Sequence, residues 1–197
     1  MTPSAHVKLF RVTPIAFVAA VVLTAAAGAA LTQKPAPEVL APYVPSPPDV
    51  VERMLAFAKV TAKDVVYDLG CGDGRIVIAA ARSYGARGVG VDIDPSLVEE
   101  AKANAKRAGV ERLVTFRLED ALTTDVSEAT VVTLYLFGAG NLKLRPRLTA
   151  QLRPGARIVS HNFMLGDWPP LDNLHFRDGD GFTRDLYLWR ADGTVRR

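Results

Sequence analysis

The sequence predicts a doubly wound α/β fold, in which a mostly parallel seven-stranded sheet with an antiparallel C-terminal edge follows one N-terminal hydrophobic helix. Three observations predict it. Apolar runs alternate with amphipathic stretches from Val65 to Ser160, the pattern of β then α units whose right-handed crossovers cover a parallel sheet on both faces. One of those runs passes straight into a glycine turn, Gly70-Cys71-Gly72-Asp73-Gly74, that opens a helix. The last two runs, His175–Arg177 and Phe182–Trp189, are separated only by Asp178-Gly179-Asp180-Gly181, which suits a hairpin and not a crossover.

Three segments divide the chain of 197 residues. Residues 1–33 carry Lys8 and Arg11 and no acid, followed by an uncharged run from Val12 to Leu31. Twenty such residues are just enough to cross a hydrocarbon core as a helix. The same stretch has the parts of an export signal: a basic start, an apolar middle and a small-residue site at Ala27-Gly28-Ala29. Its length favours a retained membrane anchor over cleavage and export. Basic residues ahead of the run favour a cytoplasmic N-terminus and a domain on the far side from the cytosol. Residues 34–48 are a Pro-rich linker, and residues 49–197 leave room for one domain of ordinary size. Without residues 1–33, the 24 Lys and Arg fall to 22 against 21 Asp and Glu. That balance argues against a nucleic-acid partner, whose phosphates call for a clustered basic excess. Lys143, Arg145, Arg147 and Arg153 read as a solvated helix face. One cysteine and three scattered histidines give no intrachain disulfide and no metal-ligand spacing.

Within the domain, Asp49 is placed to cap a helix whose apolar positions Val50, Val51, Met54, Leu55 and Ala58 recur at helical spacing. Strands follow at Val65–Leu69, Gly88–Asp92, Leu113–Leu118, Thr130–Phe137 and Arg157–Ser160, with helices at Arg75–Ser83, Pro95–Ala108 and near Pro146–Leu152. Asp94 before Pro95 is a helix cap with proline at the first helical position.

The chemistry concentrates where the first strand meets its glycine turn, Val65-Val66-Tyr67-Asp68-Leu69-Gly70-Cys71-Gly72-Asp73-Gly74-Arg75. Glycines at 70, 72 and 74 permit positive φ and close approach of a ligand, while the following helix offers free N–H groups and a positive dipole end. A dinucleotide loop wants Gly-x-Gly-x-x-Gly, and here Arg75 stands where the last glycine belongs. Asp68 would repel a pyrophosphate but suits the ammonium of a methionine moiety. That charge layout selects S-adenosylmethionine over NAD. A cofactor made in the cytosol favours the opposite arrangement to the one that the basic residues ahead of Val12 favour, so the side of the membrane stays open. Gly88-Val89-Gly90-Val91-Asp92 ends in an acid able to accept from both ribose hydroxyls, with Ile93 beside it. Glu119-Asp120-Ala121 places a carboxylate where an adenine amino group can donate.

These motifs resemble the seven-strand class I methyltransferases, whose first motif is the acid-x-Gly-x-Gly-x-Gly loop matched by Asp68 to Gly74. The resemblance implies that Asp92 binds ribose and Asp120 the adenine edge. A narrower resemblance rests on Pro42-Tyr43-Val44-Pro45-Ser46, the run DLGCGDGRIVIAAA, the Arg157-Ile158-Val159-Ser160 strand and Asp167-Trp168-Pro169. In that order, behind a hydrophobic segment, they are similar to the small membrane-anchored lysine methyltransferases of the adenine nucleotide translocase and ATP synthase c-subunit type. The chain departs from them at Val91-Asp92-Ile93-Asp94-Pro95, where they carry a Tyr-Glu-Leu-Asn-Pro type of segment. The resemblance implies a protein acceptor, with an integral membrane protein among the candidates. Tyr135, His161 and Trp168, with Asn162, are expected to line an acceptor slot at the C-terminal edge of the sheet. A small-molecule or lipid acceptor stays open as an alternative, as does a non-catalytic cofactor-binding module.

Overall fold

A computed structural model describes residues 36–197 together with Met1; the anchor or signal expected over residues 12–31 lies outside the described residues. Residues Ala36–Arg197 form one compact unit. Its elements run α1 (Pro48–Phe57), β1 (Val65–Leu69), α2 (Arg75–Tyr84), β2 (Arg87–Asp92), α3 (Pro95–Arg107), β3 (Val114–Leu118), β4 (Val131–Leu134), α4 (Gly138–Gln151), β5 (Arg157–His161), β6 (Asp172–Arg177) and β7 (Thr183–Arg190). Among the described residues, no helix is long and apolar enough to cross a membrane.

The seven strands form one sheet in the order β3-β2-β1-β4-β5-β7-β6. The first five are parallel, with Asp68 beside Gly90 on one side and Thr133 on the other. β7 inserts antiparallel between β5 and β6, so the expected C-terminal hairpin closes the edge. The chain leaves the centre of the sheet in opposite directions on either side of β1 and β4. Ligands collect at such a switch point, outside the carboxyl ends of the strands.

Alternate residues of the central strands feed two cores. On one face Val66, Val131 and Val159 pack with α1, α2 and α3 through Met54, Leu55, Val77, Ala80 and Val98. On the other face Tyr67, Val132 and Ile158 pack with Leu144 and Leu148 of α4. Among the described residues that second face has a single helix, and the loops after β3 and β5 complete it with Val126, Ala129, Leu165 and Trp168. Burial of large side chains such as Trp189 and Leu148, both fully enclosed, contributes about 2 to 3 kcal/mol each.

Several local expectations are revised. Asp49 does not cap α1: the helix starts at Pro48 with no side-chain cap, and the Asp49 carboxylate accepts instead from the Gly179 amide at 2.8 Å, tying the β6–β7 turn to the helix. Asp94 does cap α3, accepting from Ser96 N at 2.8 Å. α4 begins at Gly138, well before Pro146, which sits inside it. The basic residues near Pro146 are not one solvated face. Buried Arg145 donates to the Leu165 carbonyl and to Asp167, and Arg147 donates to the Thr124 carbonyl, so α4 fastens the two loops that finish its core.

Candidate active site

A cavity of about 460 Å³ opens at the carboxyl ends of β1, β2, β3 and β4, a volume within the usual range for a bound small molecule. Asp68, Gly70, Cys71, Asp92, Ile93, Asp120, Ala121 and Tyr135 all line it. The turn after β1 is built by its glycines. Gly70 and Cys71 both donate to the Val91 carbonyl, at 2.8 and 2.9 Å, holding the loop against the end of β2. Gly70, Gly72 and Gly74 have φ of 81, 52 and 80°, in the left-handed region that side chains avoid. Gly72 and Gly74 do not line the cavity but set its shape. A Cβ on Gly72 would stand 2.3 Å from the Tyr43 ring, and one on Gly74 would stand 2.6 Å from Phe116. Gly90 of β2 likewise leaves room for the Cys71 sulfur.

The carboxylates differ in state. Asp68 is 3% exposed, and burial pushes its carboxyl up to about 7, against the pull of a 2.8 Å hydrogen bond from Thr133 Oγ1 and with the help of nearby Asp92 and Asp73. A cationic group beside it would restore the carboxylate. Asp92, which lines the cavity, accepts from Gly72 N at 2.8 Å on Oδ2 and from Asp94 N at 3.0 Å on Oδ1, which leaves a lone pair on each oxygen for a further donor. Asp120 accepts from Leu122 N at 2.8 Å, fixing the turn after β3. Burial drives the Cys71 thiol far up, so it lines the cavity as a small apolar side chain and not as a nucleophile. This set fits a zwitterionic nucleoside ligand: a cation beside Asp68, hydroxyls beside Asp92 and an amino group beside Asp120.

The three residues expected in the acceptor slot part company. Tyr135 lines the cavity. His161, fully buried, lies behind it, with ring centroids 3.9 Å apart and planes at 28°. Burial draws the imidazole down to about 4, with the Arg184 charge adding to the shift, so the ring is neutral at pH 7. Trp168 is a correction. Its ring packs in the core 6.1 Å from Trp189 and under the Arg196 guanidinium, and its carbonyl accepts from Trp189 Nε1 at 2.9 Å. Asn162 adopts φ 62° and turns its amide oxygen onto Asp185 N, closing the end of β5.

Residues 38–46 read from the sequence as part of a linker, yet they form one wall of the cavity. Leu40 and Ala41 pack on the α4 core, Glu38 pairs with Lys143, and Tyr43 lies over Gly72. Arg75, noticed only as an interruption of a dinucleotide loop, donates to the Ser46 carbonyl at 2.8 Å while Asp73 holds its Nε and Nη2 at 2.9 and 2.7 Å. Proline density hid this wall, because a segment without periodicity carries no sign of what it covers. The Pro42-Tyr43-Val44-Pro45-Ser46 run, one of the segments that carry the resemblance to the lysine methyltransferases, was the one available signal.

A seven-strand sheet of this order, with a glycine loop after β1 and a zwitterion-matched cavity, defines a class I methyltransferase that uses S-adenosylmethionine. The model of the ANTKMT methyltransferase domain matches residues 68–172, and the chain belongs to that family. It is 44% identical over 149 residues to a protein-lysine N-methyltransferase of Saccharolobus islandicus (strain REY15A), covering 75% of this chain and 92% of that protein. It is 34% identical over 151 residues to the adenine nucleotide translocase lysine N-methyltransferase of Mus musculus, covering 77% of this chain and 62% of the relative. Among solved structures, an RNA methyltransferase from Salinibacter ruber in complex with S-adenosyl-L-homocysteine superposes with a TM-score of 0.73 at 52% identity, covering 78% of this chain and 97% of that one.

Proposed function

We propose that the chain transfers the methyl group of S-adenosylmethionine to the side-chain amine of a lysine in a protein. The observation that carries this reading is the division of the cavity into a carboxylate-lined end, at β1 to β3, and an aromatic end, where Tyr135 is backed by neutral His161. On this reading Asp68 holds the ammonium of the methionine moiety, and the backbone at Gly70 and Cys71 lies along it, in a turn shaped by Gly72 and Gly74. Asp92 takes the ribose hydroxyls, Ile93 and Ala121 flank the adenine, and Asp120 accepts from its amino group.

The sulfonium supplies an already activated methyl group, so the chain needs to place the amine and keep it neutral. Deprotonating a free lysine at pH 7 costs about 4.6 kcal/mol, and an aromatic slot lowers that cost by disfavouring the ammonium. In-line approach at contact distance then supplies much of the rate. The lysine specificity of the Saccharolobus and mouse relatives supports the acceptor class. So does an apolar rim beside Tyr135, where Phe163 stacks with centroids 6.3 Å away and meets exposed Phe137 edge-on at 5.4 Å. Such a rim suits the apolar neighbours of a target lysine. We further propose that residues 12–31 hold the enzyme at a membrane, on the strength of their uncharged length.

An RNA acceptor is the second reading, favoured by the description of the Salinibacter relative. The near balance of 22 basic and 21 acidic residues beyond residue 33 gives it little electrostatic support. One experiment separates the two. Membranes and cytosol incubated with the full-length enzyme and methyl-labelled cofactor should yield label that protease releases and that hydrolysis returns as methyl-lysine. Label removed by ribonuclease, or found only in lipid or small solutes, would overturn the lysine assignment.

A further inference from the structure

We propose that Ser46 is a positioning residue for methyl transfer, acting through His161 to hold Tyr135 in place. The inference rests on Tyr135 being a wall of the acceptor slot. Ser46 is 3% exposed and is held at two atoms. Its carbonyl accepts from Arg75 Nη1 at 2.8 Å, and its hydroxyl meets His161 Nδ1 at 3.0 Å. Arg75 is itself clamped by both oxygens of Asp73, in the glycine loop. His161 then stacks on Tyr135. An unbroken run of contacts therefore leads from the cofactor loop, through Arg75 and Ser46, to the aromatic wall where the amine must sit.

Packing alone does not account for a histidine at 161. Its Nε2 is buried with no hydrogen-bond partner among the described residues, an arrangement that disfavours folding relative to an apolar ring of similar shape. What the imidazole adds over a phenyl ring is the bond to Ser46. That bond fixes the roll of the histidine ring, and the stack passes the orientation to Tyr135. A displacement of about 1 Å at a reacting centre can lower turnover about a hundredfold, so a small drift of this wall is enough to register.

The test uses the full-length enzyme, methyl-labelled cofactor and a membrane-protein acceptor labelled by the wild type. Ser46→Ala should lower kcat about tenfold or more, with the Kd for S-adenosylmethionine changed less than threefold and Tm lowered by several degrees, because it leaves the buried His161 Nδ1 without its partner. Ser46→Thr, which keeps the hydroxyl, should restore most of the loss. His161→Phe should show the same loss, and the double variant should lose no more than either single one. An unchanged kcat in Ser46→Ala, a loss tracking cofactor affinity, or additive losses in the double variant would overturn the proposal. If His161→Phe fails to fold, the Ala and Thr pair at Ser46 decides alone. A wild-type enzyme that labels no lysine would remove the underlying reading and this one with it, whereas a labelling wild type with an unaffected Ser46→Ala removes this one only.

Discussion

Asp68 lies under the cavity floor with its carboxyl raised to about 7 by burial, so the ligand-free site is poised between a neutral acid and an anion at working pH. The sign of the consequence follows from that direction. A folded-state pKa above the unfolded value contributes stability below the unfolded pKa, near 4, and that contribution is lost as pH rises through about 7. The ligand-free enzyme is thus penalised for ionising Asp68, and a cofactor ammonium reverses the penalty by favouring the carboxylate. Affinity for S-adenosylmethionine should rise as pH climbs from about 5.5 and level off above about 7.5, falling about tenfold per unit below the pKa. Titration calorimetry at pH 6.5 in two buffers of different ionisation enthalpy should show proton release on binding. Asp68→Asn should flatten the profile at low affinity; a variant that keeps the slope would assign it to another group. His161 shifts the opposite way and stays neutral across this window, so it does not contribute to the slope.

Regular elements were legible where apolar spacing left a mark, and the wall of the cavity was illegible where it did not. Residues of the glycine loop, Asp92 and Asp120 declared themselves because strand ends and turns impose glycine and acid at fixed places; Asp68, Gly70, Cys71, Asp92 and Asp120 line one cavity, and Gly72 and Gly74 shape it from behind. The segment from Glu38 to Ser46 has no strand or helix, and its role comes from long-range partners: Lys143, Gly72, Arg75 and His161. Trp168 was misplaced for a related reason, since an aromatic in a loop does not disclose which way it turns, and here the second core claims it. The joint between loop and segment is testable at Gly72. An alanine there combines φ 52° with a Cβ 2.3 Å from the Tyr43 ring. The left-handed backbone costs about 1 to 2 kcal/mol, and the ring must also move out of its place over the loop. Gly72→Ala should weaken cofactor binding at least about tenfold and lower Tm by several degrees. Ordinary affinity in a well-folded variant would show that Tyr43 does not help close the cavity.

At the scale of the molecule, among the described residues both cores, all seven strands and the whole cavity wall lie beyond residue 35. Packing of Glu38 and Leu40 onto α4 also shortens the free tether. If residues 12–31 sit in a bilayer, only residues 32–37 span from membrane to domain, and six extended residues reach about 20 Å. A site on so short a leash samples lysines close to the membrane surface and few others, which raises their effective concentration and lowers that of soluble competitors. Removing residues 1–35 should therefore leave the Kd for S-adenosylmethionine within about twofold and keep unfolding cooperative, since every core and cavity residue among the described residues is kept. The same deletion should cut methylation of membrane-protein lysine about tenfold or more, while inserting some 20 Gly and Ser residues between Pro35 and Ala36 should broaden labelling to lysines farther from the bilayer. Equal labelling of membranes by the full-length and shortened enzymes would take the anchoring role away from residues 12–31 and leave the methyltransferase domain to find its acceptor unaided.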